Sequence, residues 1–343
     1  MFISEFDFDL PGELIAQHPL AQRESSRMLC VDRSSGAIAD DLFDLLPDRL
    51  RPGDLLVLNN TKVFPARLSG QTDTGAHIEI FLIREIGAES WEALAKPLRR
   101  LRPGKRIKFG ERLTGRTVAI TAEGRAEIQF EFEGDLRERI DEVGRTPIPP
   151  YIKREEGAID EDRDRYQTVF AANRGAIAAP TAGLHFTPEV FDRLRRKGIE
   201  IAELTLHVGY GTFEPVRVED LSMHKVMPER YEISDSAAAS LNRARAERRR
   251  VIAVGTTTTR TLENALQRHH EFKPESGNAD LTITPGFEFR AIDGMLTNFH
   301  LPKSSLLVLV STFGGHELIM KAYDHAVRER YRFYSYGDCM LIV

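Results

Sequence analysis

From Ala66 to Phe132 the apolar residues fall on alternate positions within short runs, and each run ends at a glycine-containing turn. In AHIEIFLIREI, Ile78, Ile80 and Leu82 occupy one face, while His77, Glu79, Phe81 and Ile83 occupy the other. A period of two marks a strand with one side on a core. ARLSGQ, SWEALAKP, KRIKFG, RTVAITAEG and RAEIQFEF repeat the signal, and together these runs predict a small β-barrel.

The rhythm differs on either side. SRMLCVDRSSGAIADDLFDLLPDRL predicts a strand, a Ser-Ser-Gly turn, a second strand and a helix, and RPGDLLVLNNTK leads through a Pro-Gly turn into a buried strand. In VGRTPIPPYIKREEG, three prolines within four residues stop regular structure, so the barrel exit is expected near residues 145 to 153. After it, the helical patterns TPEVFDRLRRKGI, SDSAAASLNRARAERRR and TLENALQRHH alternate with the strand candidates EIAELTLHV, RVIAVG and SSLLVLVS. The expected class is α/β: a larger layered mixed-sheet domain from residues 1–65 and 151–343, carrying an inserted β-barrel domain at 66–150. SSLLVLVSTF and RVIAVG are far shorter than the roughly 20 residues that cross a bilayer, and both read as buried strands.

Composition refines this picture. MFISEFDFDLPGELIAQ has no basic region followed by an apolar run, so no export signal is expected and the compartment is read as the cytoplasm. Cys30 and Cys339 are too few and too far apart for a disulfide scaffold or a zinc motif. The net charge of -5 argues against indiscriminate nucleic-acid coating, but KPLRRLRPGKRIKFGERLTGR holds nine Lys or Arg and one acid. Such a cluster sets up its own field and suits a phosphate backbone, especially that of a compact RNA. Arg99, Arg100, Arg102, Lys105 and Arg106 are the RNA-contact candidates there. NRARAERRR is as dense, but a solvated helix face accounts for it.

The chemistry-bearing stretches lie in the larger domain. VIAVGTTTTRTLENAL runs a strand through Gly255 into four hydroxyls at a helix start, an edge that offers donors to a carboxylate, phosphate or ribose. Neither GxGxxG nor GxxxxGK[ST] occurs. His185, His207, His224, His300 and His316 sit in punctuated polar-apolar stretches, but HELIM carries Met320 where a metalloprotease helix needs its second histidine. No metal is expected, and proton handling is the better use of these imidazoles.

Seven separated blocks then identify the chain's resemblance. LPGELIAQHPLAQRESSRMLCVDR, PGDLLVLNNTKVFPARLSG, AAPTAGLHFT, LTLHVGYGTFEPV, GTTTTRTLENA, LTNFHLPKSSLLVLVSTFGG and YRFYSYGDCMLI resemble the S-adenosylmethionine:tRNA ribosyltransferase-isomerases of queuosine biosynthesis over essentially the whole length. The resemblance implies a β-barrel inserted in an α/β domain. It also implies transfer and isomerisation of the ribosyl part of S-adenosylmethionine onto the aminomethyl group of a 7-deazaguanine in the tRNA anticodon. Epoxyqueuosine forms, and adenine and methionine leave. S-adenosylmethionine is then a consumed cosubstrate, with no further cofactor, and tRNA is the partner. A monomer is the default, since no coiled coil or apolar stripe compels association. HKVMPERY departs from the family's His-x-Met-His-x-Glu: His224 and Glu229 persist, but Met227 replaces the second histidine. TTTTR stands for the usual Thr-Thr-Ser-Val-Arg and keeps Thr256, Thr257 and Arg260.

The implied chemistry removes the C5′ proton beside the sulfonium, opens the ribose and expels adenine, which needs a base, a proton donor and dipoles for oxyanion charge. His185 is the expected base, His207 or His300 the donor or orienter, and Glu229 a partner for an imidazole or the substrate amine. Thr256, Thr257 and Arg260 are expected on ribose or methionine, Asn298 on a base edge, and Arg67 on RNA or cosubstrate. His316 is read as a cap of the helix GHELIMKAYDHAVRER.

Overall fold

The computed structural model describes residues 1–154, 160–213 and 216–343. Residues 155–159, which follow the expected barrel exit, and Glu214 and Pro215 of the LTLHVGYGTFEPV block lie outside them.

A nine-stranded mixed sheet organises the larger body. Its order is Glu275–Ala279, Glu229–Ile233, Glu200–Leu206, Leu55–Asn59, Val251–Val254, Gly294–Asn298, Cys339–Ile342, Arg27–Val31 and Ile38–Leu42. The four strands from Glu200–Leu206 to Gly294–Asn298 are mutually parallel, and antiparallel pairs flank them. Leu55, Leu56, Val57 and Leu58 are wholly buried, as a central strand covered on both faces requires. The helices Pro188–Arg196, Asp235–Ala246, Thr256–His269, Ser305–Gly314 and His316–Arg328 complete the layers.

Six strands close a separate antiparallel barrel: Arg67–Thr72, His77–Gly87, Ser90–Lys96, Ala126–Phe132, Leu113–Ile120 and Arg106–Lys108. Gln71 and Thr72 pair with Lys108 and Ile107 to close it. Ile78, Ile80 and Leu82 are fully buried in its core, on the face that the alternation assigns to them. Closure brings the backbone at Gly70 so near that a Cβ there would stand 2.7 Å from the Phe109 ring. A short strand, Gly144–Arg145, pairs along Arg67 and Leu68 and leads out toward the larger body.

One expected strand is a helix. SSLLVLVS folds as Ser305–Gly314, with the Ser304 side chain accepting from Leu307 N–H and Gly315 ending the helix at φ +86°. Leu307 to Val310 are all buried, so the run lacks the polar stripe that normally betrays a helix. The insert also contains a helix, Leu136–Val143, that the barrel periodicity does not reveal.

Candidate active site

The carboxyl ends of three of the four parallel strands, Glu200–Leu206, Val251–Val254 and Gly294–Asn298, lead onto a cavity of about 460 Å³. This is where α/β sheets commonly bind ligands, and the volume suits a small molecule. Val254 leads into Gly255, whose φ of +91° is a conformation that favours glycine, and then into the Thr256–His269 helix. Gly255 supplies no capping side chain, so the first N–H groups of the helix stand at the cavity wall without an intrahelical acceptor. Thr258 and Thr259 turn their hydroxyls back onto the carbonyls of Val254 and Gly255. Thr256 and Thr257 line the cavity.

The opposite wall comes from the end of Gly294–Asn298 and the segment after it. Asn298 Nδ2 donates to the Tyr334 carbonyl at 2.9 Å, and Oδ1 accepts from His185 at 3.1 Å. Of the base-edge contacts expected from Asn298, this leaves the second lone pair of Oδ1. His300 also lines the cavity, with Nε2 2.9 Å from Thr297 Oγ1. When Thr297 donates to the Asn298 carbonyl at 3.4 Å, its oxygen accepts from His300 Nε2–H, and Nδ1 keeps the lone pair. Burial lowers the His300 pKa to about 3, so the ring is neutral at working pH.

The histidines thus occupy different places. His185 is buried, its Nδ1 2.8 Å from Ser26 Oγ and its Nε2 on Asn298; burial lowers its pKa to about 4. It stands behind Asn298 and does not line the large cavity. Both ring nitrogens are engaged, so this is the geometry of an orienting group, whereas a base needs a lone pair facing substrate. His207 also lies off the cavity, with Nδ1 2.8 Å from Thr61 Oγ1; its pKa is lowered, chiefly by burial. A Cβ on Gly175 would meet the His207 ring at 2.6 Å, so that glycine makes room for the imidazole. His316 is the first helical residue, after Gly315, and its side chain makes no cap bond; the ring lies edge-on to Phe6 at 4.8 Å.

Beside the cavity a smaller recess shares Thr256, Thr257, Ser305 and Leu306 with it. His224, Met227, Glu229 and Arg260 line this recess. Glu229 Oε1 accepts from Gly209 N–H at 2.8 Å, and Oε2 pairs with Arg260. Glu229 therefore holds a guanidinium and a loop amide, and the expected imidazole partner is not among these bonds. Met227 packs against Gly211, where an added Cβ would lie 2.9 Å from the methionine Cβ.

The cavity is also lined by Tyr151, which reads in the sequence as a possible stacking surface, and by Tyr166, Lys303, Tyr334 and Ser335, which the sequence pattern does not single out. Tyr151 and Tyr334 meet with ring centroids 3.8 Å apart, and Tyr166, Lys303 and Ser335 line the same cavity. Tyr151 and Ser335 share a 2.5 Å hydroxyl contact. The dense Tyr-Ser spacing of YRFYSYGD is the signal that could have found Tyr334 and Ser335.

On the barrel, Arg67 pairs with Glu79 at 2.9 Å and lies over the Phe81 ring. Arg106 pairs with Glu131 at 2.5 Å, and Arg100 donates to the His77 carbonyl at 3.3 Å. Arg99 and Arg102 are exposed, and Lys105 is half-buried. None of these six lines the large cavity.

No group of three or more His, Cys, Asp or Glu among the described residues is arranged to hold a metal ion, and no helix among them is long and apolar enough to cross a membrane. Residues 3–342 match the family model described as queuosine biosynthesis protein. The chain is 51% identical to the S-adenosylmethionine:tRNA ribosyltransferase-isomerase of Syntrophotalea carbinolica and 49% identical to that of Symbiobacterium thermophilum, each match covering 100% of both chains. A crystal structure of S-adenosylmethionine tRNA ribosyltransferase from Thermotoga maritima matches with a TM-score of 0.58 at 36% identity, covering 99% of this chain and 100% of that one.

Proposed function

We propose a division of labour within the cavity from the premise that the chain belongs to the queuosine biosynthesis protein family. The protein is an S-adenosylmethionine:tRNA ribosyltransferase-isomerase. It transfers and isomerises the ribosyl moiety of S-adenosylmethionine onto 7-aminomethyl-7-deazaguanine in tRNA, forming epoxyqueuosine-tRNA and releasing adenine and methionine. S-adenosylmethionine is consumed as a cosubstrate.

One observation carries the assignment of the site: an uncapped helix start and a neutral imidazole line the same cavity. The N–H groups and hydroxyls of Thr256 and Thr257 suit the methionine carboxylate or ribose oxygens, because a helix N-terminus favours negative charge. His300 is the proton acceptor: with Nε2–H donated to Thr297 its Nδ1 holds the lone pair, and burial keeps the ring neutral at the expense of basicity. Asn298 presents one Oδ1 lone pair to substrate, and His185 orients it. Arg260, held by Glu229 in the adjoining recess, adds positive charge near the helix start. Tyr151 and Tyr334 offer aromatic surface to a planar base.

Arg99, Arg100, Arg102, Lys105, Arg106 and Arg67 act at longer range, as an RNA-facing part of the inserted domain of residues 66–150. The substrate base lies in the anticodon, and the enzyme works as a cytoplasmic monomer; molar mass in solution with and without tRNA tests the last point. The reaction itself is tested by incubating the protein with S-adenosylmethionine and tRNA bearing the deazaguanine precursor, then digesting the tRNA and weighing its nucleosides. The expected result is epoxyqueuosine with one adenine released per transfer. An unchanged precursor nucleoside and no adenine would overturn the reading.

A further inference from the structure

A second, larger cavity of about 580 Å³ runs where the barrel meets the α/β body. Its walls come from the Thr61–Val63 strand and Pro65, the end of the Leu136–Val143 helix with Gly144–Thr146, and the segment Arg163–Val169. Gln167 staples two of these walls, accepting from Val63 N–H and donating to the Val63 carbonyl, at 3.0 and 3.1 Å. Five basic side chains line the cleft: Arg23, Lys62, Arg145, Arg163 and Arg174. Two carboxylates oppose them, and one of these, Asp141, is paired with Arg174 at 2.5 Å.

Two of the five charges are available to a ligand. Lys62 and Arg163 are exposed and have no ion-pair partner among the described residues. Thr168 is only 5% exposed, and its hydroxyl is buried in the cleft lining without a hydrogen-bond partner. A buried hydroxyl left in that state asks for an acceptor or donor from outside the protein. Polar and basic, the cleft suits phosphates better than it suits an apolar small molecule.

Its position ties it to the reaction site. Tyr166 lines the 460 Å³ cavity and the next residue, Gln167, lines the cleft; on the other wall Thr146 and Pro150 are likewise divided. One layer of chain therefore separates the two cavities. A strand whose phosphates occupy the cleft needs only to turn one nucleotide across this layer to place its base in the cavity.

We propose that this interdomain cleft is the binding site for the phosphodiester backbone next to the modified nucleotide, with Lys62 and Arg163 contacting phosphates and Thr168 completing the site. The proposal rests on the tRNA-modifying reading above and assigns that reading a surface distinct from the basic barrel loop at 99–106. Backbone contacts of this kind position the RNA and leave sequence reading to the base cavity.

The test uses the full chain with Lys62→Glu/Arg163→Glu, both surface positions, and Thr168→Val as a second variant that removes the hydroxyl with little change of volume. Binding of tRNA is measured by filter retention from low to moderate salt, and KM values for tRNA and S-adenosylmethionine are measured alongside. The charge variant is expected to weaken tRNA binding at least tenfold and to lower the log–log salt slope by roughly 1.5, as the loss of two phosphate contacts requires. The KM for S-adenosylmethionine should stay within twofold. Thr168→Val should weaken tRNA binding severalfold at unchanged salt slope. Inorganic phosphate should compete only at concentrations far above those of tRNA. Parental tRNA affinity and salt slope in the folded charge variant would overturn the proposal, as would submillimolar phosphate binding that the variant loses while keeping tRNA. If the parent binds tRNA but forms no epoxyqueuosine, the reaction reading fails, and the binding measurements still decide the cleft.

Discussion

His185 Nε2 lies 3.1 Å from Asn298 Oδ1, and of the two residues it is Asn298 that lines the cavity. The imidazole works through the amide it holds. A donor at Nε2 fixes which end of Asn298 is oxygen, and the Tyr334 carbonyl fixes the other end as nitrogen. Replacing His185 with alanine strands a buried amide oxygen and opens a void, so unfolding free energy should fall by about 2 to 4 kcal/mol. Turnover should fall less than in Asn298→Ala, and His185→Gln should recover part of both losses. Chemical unfolding and saturated turnover on one preparation decide it. A 100-fold loss of turnover at parental stability would return His185 to the role of base.

His300 is the imidazole that reaches the cavity, so His300→Asn should lower kcat by roughly 100-fold or more while the KM for S-adenosylmethionine changes little. Adenine release and epoxyqueuosine formation should fall together. The imidazole is already neutral well below pH 6, so the parental rate profile should show no limb near the ordinary histidine value. Near-parental turnover in a folded variant would remove His300 from proton transfer.

How much of this is legible in the sequence follows from the range of the contacts. The barrel is readable because a period of two is a local property, and Ile78, Ile80 and Leu82 carry it within five residues. Ser305–Gly314 reads as a strand because its middle, Leu307 to Ser311, is buried on every side, which erases the stripe that separates a helix from a strand. The punctuated loop around His185 stands out in the sequence. Its role does not, because its partners Ser26 and Asn298 lie 159 and 113 positions away in the chain. The hydroxyl-rich helix start at Thr256 is visible because its glycine and threonines are contiguous. The aromatic wall is not: Tyr151 alone reads as a possible stacking surface, and Tyr166 and Tyr334 join it only after the sheet is assembled.

Glu229 and Arg260 form a nearly buried pair, with side chains 5% and 12% exposed. Glu229→Ala leaves the guanidinium in a low-dielectric recess and removes the acceptor for Gly209 N–H, so it should destabilise by about 3 to 5 kcal/mol. Glu229→Leu/Arg260→Met, which removes both charges at similar volume, should regain much of that loss. If Arg260 also serves the cosubstrate, the double variant will be stable yet show a raised KM for S-adenosylmethionine. Recovery of both stability and KM would confine the pair to architecture.

For the barrel loop, Arg99→Glu/Arg100→Glu/Arg102→Glu should raise the KM for tRNA more than that for S-adenosylmethionine and flatten the salt dependence. The cause is loss of long-range attraction and of counterion release. Arg99 and Arg102 are exposed, so the barrel should keep its melting behaviour. Equal KM values for tRNA in a folded variant would remove this loop from the RNA path.

Acid should destabilise the protein through the same two buried imidazoles. The native pKa values are about 4 for His185 and about 3 for His300, both depressed by burial from 6.5. Between pH 6.5 and the native values the unfolded chain binds more protons than the folded one, so unfolding free energy falls as pH falls and levels off only below the native pKa. Stability is therefore fully present above pH 6.5, the opposite of a histidine that gains an acidic partner on folding. The combined loss is on the order of several kcal/mol, because each tenfold fall in proton affinity on folding corresponds to about 1.4 kcal/mol. Carboxylate pairs add their own loss at lower pH, so the diagnostic window is pH 6.5 to 4.5. Urea unfolding across that window should show a positive slope of stability against pH, and His185→Asn and His300→Asn should each flatten it. A parental slope in both variants would mean that these rings are protonated in the folded protein, and a cationic His300 could not accept the proton assigned to it.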